Sequence, residues 1–135
     1  SFHVNTIIIH CFLLFFQNSM KISMGKNAKR KLQKRCHNGK GAISFREIFD
    51  KNDFKSSLQF LHETSIMPNS TIGYHKHSGN EEIYYIVEGK GLMEVDGEEK
   101  VVGHGDAVIT HSGSSHGLKN IGDKELKILV FESKY

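Results

Sequence analysis

Residues Gly73–Gly89 read G-Y-H-K-H-S-G-N-E-E-I-Y-Y-I-V-E-G. His75 and His77 are separated by one residue, and side chains alternate between the two faces of a strand, so both imidazoles project the same way. Ser78-Gly79-Asn80 reads as a turn. Glu81 and Glu82 then open a second strand, Ile83 to Val87, rich in β-branched and aromatic residues. The stretch predicts a hairpin that folds a carboxylate back onto two imidazoles. Two imidazole nitrogens and a carboxylate oxygen are an ordinary donor set for a divalent transition metal. One such histidine alone would be read as a surface or core group, but the whole spacing is harder to assign to packing.

A third nitrogen donor is available downstream. Gly105–Asn120 reads G-D-A-V-I-T-H-S-G-S-S-H-G-L-K-N. A strand, Ala107 to Thr110, meets a polar turn, Ser112 to Ser115, and His116 opens the next strand. Gly73–Gly89 resembles the first motif of the cupin superfamily, and Gly105–Asn120 resembles the second. Where the second motif usually has proline, this chain has His111, while Gly113, His116 and Asn120 fall as the motif expects. The resemblance covers roughly residues 41–135. It implies a small antiparallel jelly-roll β-barrel and a metal held by His75, His77, Glu82 and His116. It implies no particular reaction, because that family hosts many.

The 135 residues suit a single domain, and about 100 patterned residues suffice for a core without disulfide staples. The two cysteines, Cys11 and Cys36, precede the patterned region. They offer no disulfide framework, so a reducing, cytoplasmic setting is expected. The net charge of +3 conceals an asymmetry: residues 1–40 contain eight lysines and arginines and no acid, whereas residues 41–135 contain all fifteen acids against ten basic residues. An acidic β-rich part argues against nucleic acid as its partner.

The N-terminal residues 1–40 are read as an extension outside the core, with the barrel at residues 41–135. Thr6–Phe16 is almost wholly apolar, but about eleven residues fall short of the roughly 20 that span a bilayer as a helix. No basic residue precedes this run and no small-residue cleavage site follows, which disfavours a signal peptide. Residues 1–19 are therefore expected to be an upstream extension, with Met20 and Met24 as plausible starts. A strand packed on the barrel or on a partner is the alternative. Met24–Lys40 has seven lysines and arginines among seventeen residues and reads as a solvated arm, with an RNA or membrane-surface tether as the sharper alternative. It lacks interleaved aromatic residues for base stacking. Cys36 and His37, being adjacent, would point apart in a strand, so a nucleophile–base pair is not expected there.

Beyond Lys40 the pattern is one of strands and turns. Leu58–Ile66 places Leu58, Phe60, His62, Thr64 and Ile66 on one face, with His62 a possible pocket residue. Ile83–Val87 is apolar on both faces and predicts cover on both sides, which with the family resemblance gives the expectation of a homodimer. Asp96-Gly97 joins Leu92–Val95 to Glu99–Val102 as a hairpin. His116–Ile121 and Leu126–Phe131 read as a last hairpin. No segment has a convincing helical period, so the class is all-β.

Other motifs are weaker. Gly113-Ser114-Ser115-His116-Gly117 matches G-x-S-x-G, but that pattern carries a nucleophile only at a strand-to-helix turn, and no helix follows. His111 and Tyr84 are the candidates for catalytic residues, and Asn120 either orients a ligand or ends a strand. A site with three imidazoles and one carboxylate suits Fe, Mn, Ni, Co or Zn and leaves positions for a small polar ligand or substrate. The expected function is a metal-dependent enzyme of dioxygenase, isomerase or lyase type. The alternative is a module that binds or senses a small ligand without turnover.

Overall fold

The computed structural model describes residues 20–25 and 28–135. The apolar run Thr6–Phe16 and Cys11 lie outside the described residues. Ten strands follow one another: β1 (Lys31–Lys34), β2 (Ala42–Asp50), β3 (Leu58–Ile66), β4 (Thr71–Lys76), β5 (Asn80–Glu88), β6 (Lys90–Val95), β7 (Glu98–Gly103), β8 (Ala107–Thr110), β9 (Ser115–Asn120) and β10 (Leu126–Lys134). They form two antiparallel sheets, one ordered β1-β2-β3-β10-β5-β8 and the other β4-β9-β6-β7. The sheets pack face to face as a jelly-roll barrel. Ile66, Ile86, Leu118, Leu126 and Ile128 are fully buried between them. Each comes from the inward set of an alternating strand, so burial follows from the period-2 pattern.

Two sequence expectations are corrected. The stretch Gly73–Gly89 is not a hairpin: β4 pairs with β9, whereas β5 lies between β10 and β8 in the other sheet. The turn through Gly79, at φ 76°, sends the chain across the barrel instead of back along the same sheet. For the same reason β9 and β10 are not a hairpin, although β6 and β7 are, joined by Asp96 and Gly97 at φ 49° and 84°.

The boundary at Lys40 also moves. β1 pairs with β2, and a single 3₁₀ turn, Cys36–Asn38, lies against β4 and buries Cys36 in the core. All four residues of β1 are exposed, so no apolar alternation marks this strand within the basic run. Lysines at both ends suit a strand at a sheet edge, where charge discourages pairing with another chain.

The outer face of β5 is apolar, as its sequence implies. Ile83, Tyr85 and Val87 are exposed in the single chain. They are not isolated, because the register aligns Phe49, Leu61, Phe131, Ile83 and Ile109 across five adjacent strands.

Candidate metal centre

The inward faces of both sheets converge on one point. β4 contributes His75, and His77 follows immediately after that strand; β9 contributes His116, directly opposite His75 in the ladder. Two backbone hydrogen bonds fix His77 after the strand ends: its N–H donates to Ser114 O at 2.9 Å, and its carbonyl accepts from Gly113 N–H at 2.8 Å. Glu82 reaches in from β5 on the facing sheet. The carboxylate thus approaches from the opposite layer of the barrel, not from a neighbouring strand. His77, Glu82 and His116 are buried and His75 is half-buried.

The ligand atoms lie within 4.8 Å of one another. His116 Nε2 is 3.0 Å from His77 Nε2, 3.3 Å from His75 Nε2 and 3.2 Å from Glu82 Oε1. His77 Nε2 is 3.6 Å from the same oxygen. Donors held about 2.1 Å from one cation are ~3.0 Å apart at right angles and ~3.4 Å apart at tetrahedral angles, so these separations fit a shared ion. Glu82 Oε1 is buried and receives no directed hydrogen bond, despite its proximity to His116. A buried carboxylate oxygen without a donor is costly unless a charge compensates it.

The second ring nitrogens are also engaged. His75 Nδ1 is 2.8 Å from Gly73 O. A carbonyl can only accept, so Nδ1 carries the proton and the Nε2 lone pair of the neutral ring faces the centre. His116 Nδ1 lies 2.7 Å from Thr110 Oγ1. Thr110 belongs to β8 and stands opposite Glu82 in the ladder, so it ties the two sheets together behind the donors. Such outer contacts fix the orientation of metal-binding imidazoles.

The electrostatics favour ligand-competent states. Burial pulls His75 down to about 4, only partly opposed by its bond to Gly73 O, so its ring is neutral near pH 7. Burial pushes Glu82 up, but the neighbouring His116 and His77 side chains outweigh it and hold the carboxyl below its ordinary value. Burial and the adjacent Glu82 carboxylate push the Tyr84 hydroxyl well above its usual value, so it stays protonated beside Glu82.

The sequence candidates outside the donor set separate. Tyr84 is at the centre, its ring 4.7 Å from that of His116. His111 is not: it is exposed and pairs through Nδ1 with Glu81 Oε2 at 3.0 Å, where the Tyr135 hydroxyl also donates. Asn120 orients no donor. Its Nδ2 donates to Ile66 O and Lys124 O at 2.9 and 2.7 Å, and its Oδ1 accepts from Gly122 N–H, closing the loop before β10. His62 does line a cavity of 180 Å³ that extends from Glu82 and Tyr84 past Phe45 and Phe60.

Two residues near the donors were missed. Thr110 was legible in principle, since it shares the inward face of β8 with Val108. His37 was not. Its ring stacks on His75 with centroids 3.6 Å apart and planes 8° from parallel.

Comparison with known proteins agrees with this architecture. Residues 62–132 match the model of the cupin domain family. The chain belongs to that family. It is 33% identical over 92 residues to a Thermotoga maritima protein named an oxalate-binding protein, covering 68% of this cupin and 76% of the relative. It is 42% identical over 84 residues to an uncharacterised protein of Methanocaldococcus jannaschii, covering 62% and 67% of the two chains. Among solved structures it resembles a predicted oxalate decarboxylase of Thermotoga maritima, with a TM-score of 0.82 at 27% identity, covering 86% of this cupin and all of that chain. Among the described residues, no helix is long and apolar enough to cross a membrane.

Proposed function

We propose that this cupin holds one divalent transition metal on His75, His77, Glu82 and His116 and uses it to bind a small chelating anion of the oxalate class. The observation that carries the reading is the cluster of three imidazole Nε2 atoms around a buried carboxylate oxygen that lacks a directed donor. When bound, such an ion supplies Lewis acidity and a template for a bidentate ligand. Within the chain, Gly73 O and Thr110 Oγ1 hold two of the rings in place. Phe45, Phe60 and Val130 line the adjoining cavity with apolar surface that limits water. At 180 Å³ the cavity has room for a small anion. The names given to the Thermotoga maritima sequence and structural matches support the oxalate class.

Binding is the function this arrangement supports best. Turnover of lyase type is the second reading, favoured by the name of the structural relative. Calorimetry of oxalate against metal-loaded and metal-free protein tests both, with formate and carbon dioxide followed in the same samples. Saturable binding only to the loaded protein is expected. Equal binding to both forms, or none to either, would refute the proposal, and product release would favour the second reading. We further propose that a second copy of the chain covers the apolar stripe on the outer sheet face.

A further inference from the structure

The turn that precedes β2 holds an imidazole at the site that the metal does not require. Arg35, His37 and Asn38 all have positive φ, at 50°, 49° and 60°, so three of the four residues from Arg35 to Asn38 occupy the left-handed region within a single turn. Such conformations cost roughly 1–3 kcal/mol each and persist only where surrounding contacts impose them. Here two glycines do so. A Cβ on Gly73 would lie 2.6 Å from Gly39 N, and one on Gly39 would lie 2.7 Å from Gly73 N. The backbones of the turn and of β4 therefore meet without side chains between them, two residues before His75. The result is the parallel stack of His37 on His75.

His37 also lines the 180 Å³ cavity, together with Glu82 and Tyr84. An anion entering that space needs donors, because a buried carboxylate without them is strongly disfavoured. The cavity presents no lysine or arginine, and its neutral donors besides His37 are Gln33, His62, Thr64 and Tyr84, of which only His37 stacks on one of the four clustered side chains. His62 Nε2 faces Glu47 Oε2 at 3.3 Å. Among the described residues, the ring nitrogens of His37 make no hydrogen bond, which leaves them available to a ligand.

The geometry points to His37 as the specificity residue of the site, donating a hydrogen bond to the carboxylate of the bound anion that lies farther from the metal ligands. This inference rests on the proposed binding of a small chelating dicarboxylate. It makes the Arg35–Gly39 turn, which precedes the matched family region, part of the binding site.

Two substitutions separate ligand contact from support of His75. His37→Phe keeps an aromatic ring for the stack and removes the donor. His37→Asn keeps a donor, tolerates positive φ and removes the stack. Each full-length variant is loaded with metal, its metal content and melting temperature are recorded, and oxalate and acetate are titrated by calorimetry. A hydrogen bond to a charged group corresponds to about a tenfold to hundredfold change in affinity. His37→Phe is expected to bind metal as wild type does and to lose oxalate affinity by that factor, with acetate affinity little changed. His37→Asn is expected to retain more oxalate affinity than His37→Phe. Wild-type oxalate affinity in His37→Phe would overturn this inference while leaving the binding function standing. Loss of metal from His37→Phe would also overturn it, making His37 a support for His75. Absence of oxalate binding by wild type would remove both the inference and the function on which it rests.

Discussion

Replacing Gly73 by alanine tests how the N-terminal turn is held against the site. The new methyl carbon would sit 2.6 Å from Gly39 N and 2.9 Å from the His37 carbonyl carbon, and closer still to the His37 carbonyl oxygen. All three neighbours are backbone, so no side-chain rotation relieves the overlap. The turn would have to lift by more than an ångström to restore ordinary contact. Overpacking of this kind costs about 1–3 kcal/mol. Loss of the His37–His75 stack adds about 0.5–1.5 kcal/mol. A total near 3 kcal/mol lowers the melting temperature of a domain this size by on the order of 10 °C. The assay is thermal unfolding in excess chelator, so that bound metal does not mask the effect. Gly103→Ala is the control, because its Cβ would meet nothing nearer than Gly89 O at 3.7 Å. Its melting temperature should stay within about 2 °C of wild type. If Gly73→Ala also melted within about 2 °C of wild type, the turn would not be pinned as described.

The buried imidazole gives a pH dependence with a definite sign. Folded His75 titrates at about 4, against about 6.5 in an unfolded chain. Between those values the unfolded chain binds more protons, so stability present above about pH 6.5 is lost as the pH falls toward 4. Discounted for a half-buried ring, the loss is ~1 kcal/mol. A lower urea midpoint for metal-free protein at about pH 4.5 than at pH 7 is expected, and His75→Asn should reduce the difference; an unchanged midpoint would contradict the burial argument. The apolar stripe through Ile83, Phe131 and Ile109 predicts that light scattering finds a dimer and that Ile83→Asp yields folded monomer. A monomeric wild type would remove the reason given for that apolar face.

Much of this architecture was legible because strands announce themselves by alternation and turns by composition. β3 and β8 have the boundaries expected from sequence, and the other core strands differ by a few residues at their ends. The four clustered side chains were expected from two motifs, and their inward orientation follows from strand periodicity. Which strands pair was harder to read. A short turn such as Ser78–Asn80 can close a hairpin or cross between facing sheets, and the residues in it permit both. Glu82 therefore meets the histidines across the core, although it is near them in sequence. β1 and the His37 turn were missed for different reasons. β1 exposes every side chain, so no hydrophobic period marks it. The placement of His37 depends on a close approach of Gly39 to Gly73, distant in sequence and without a local signature.

The central claim is most directly tested by metal content. Purified chain is stripped with chelator, incubated with an equimolar mixture of manganese, iron, cobalt, nickel and zinc ions, freed of unbound metal, and analysed by mass spectrometry of the elements. The wild type should retain about one transition-metal ion per chain, and His77→Ala essentially none while its melting curve in chelator still shows a folded barrel. A wild type that retains no metal, or a His77→Ala variant that retains as much as wild type, would contradict the account.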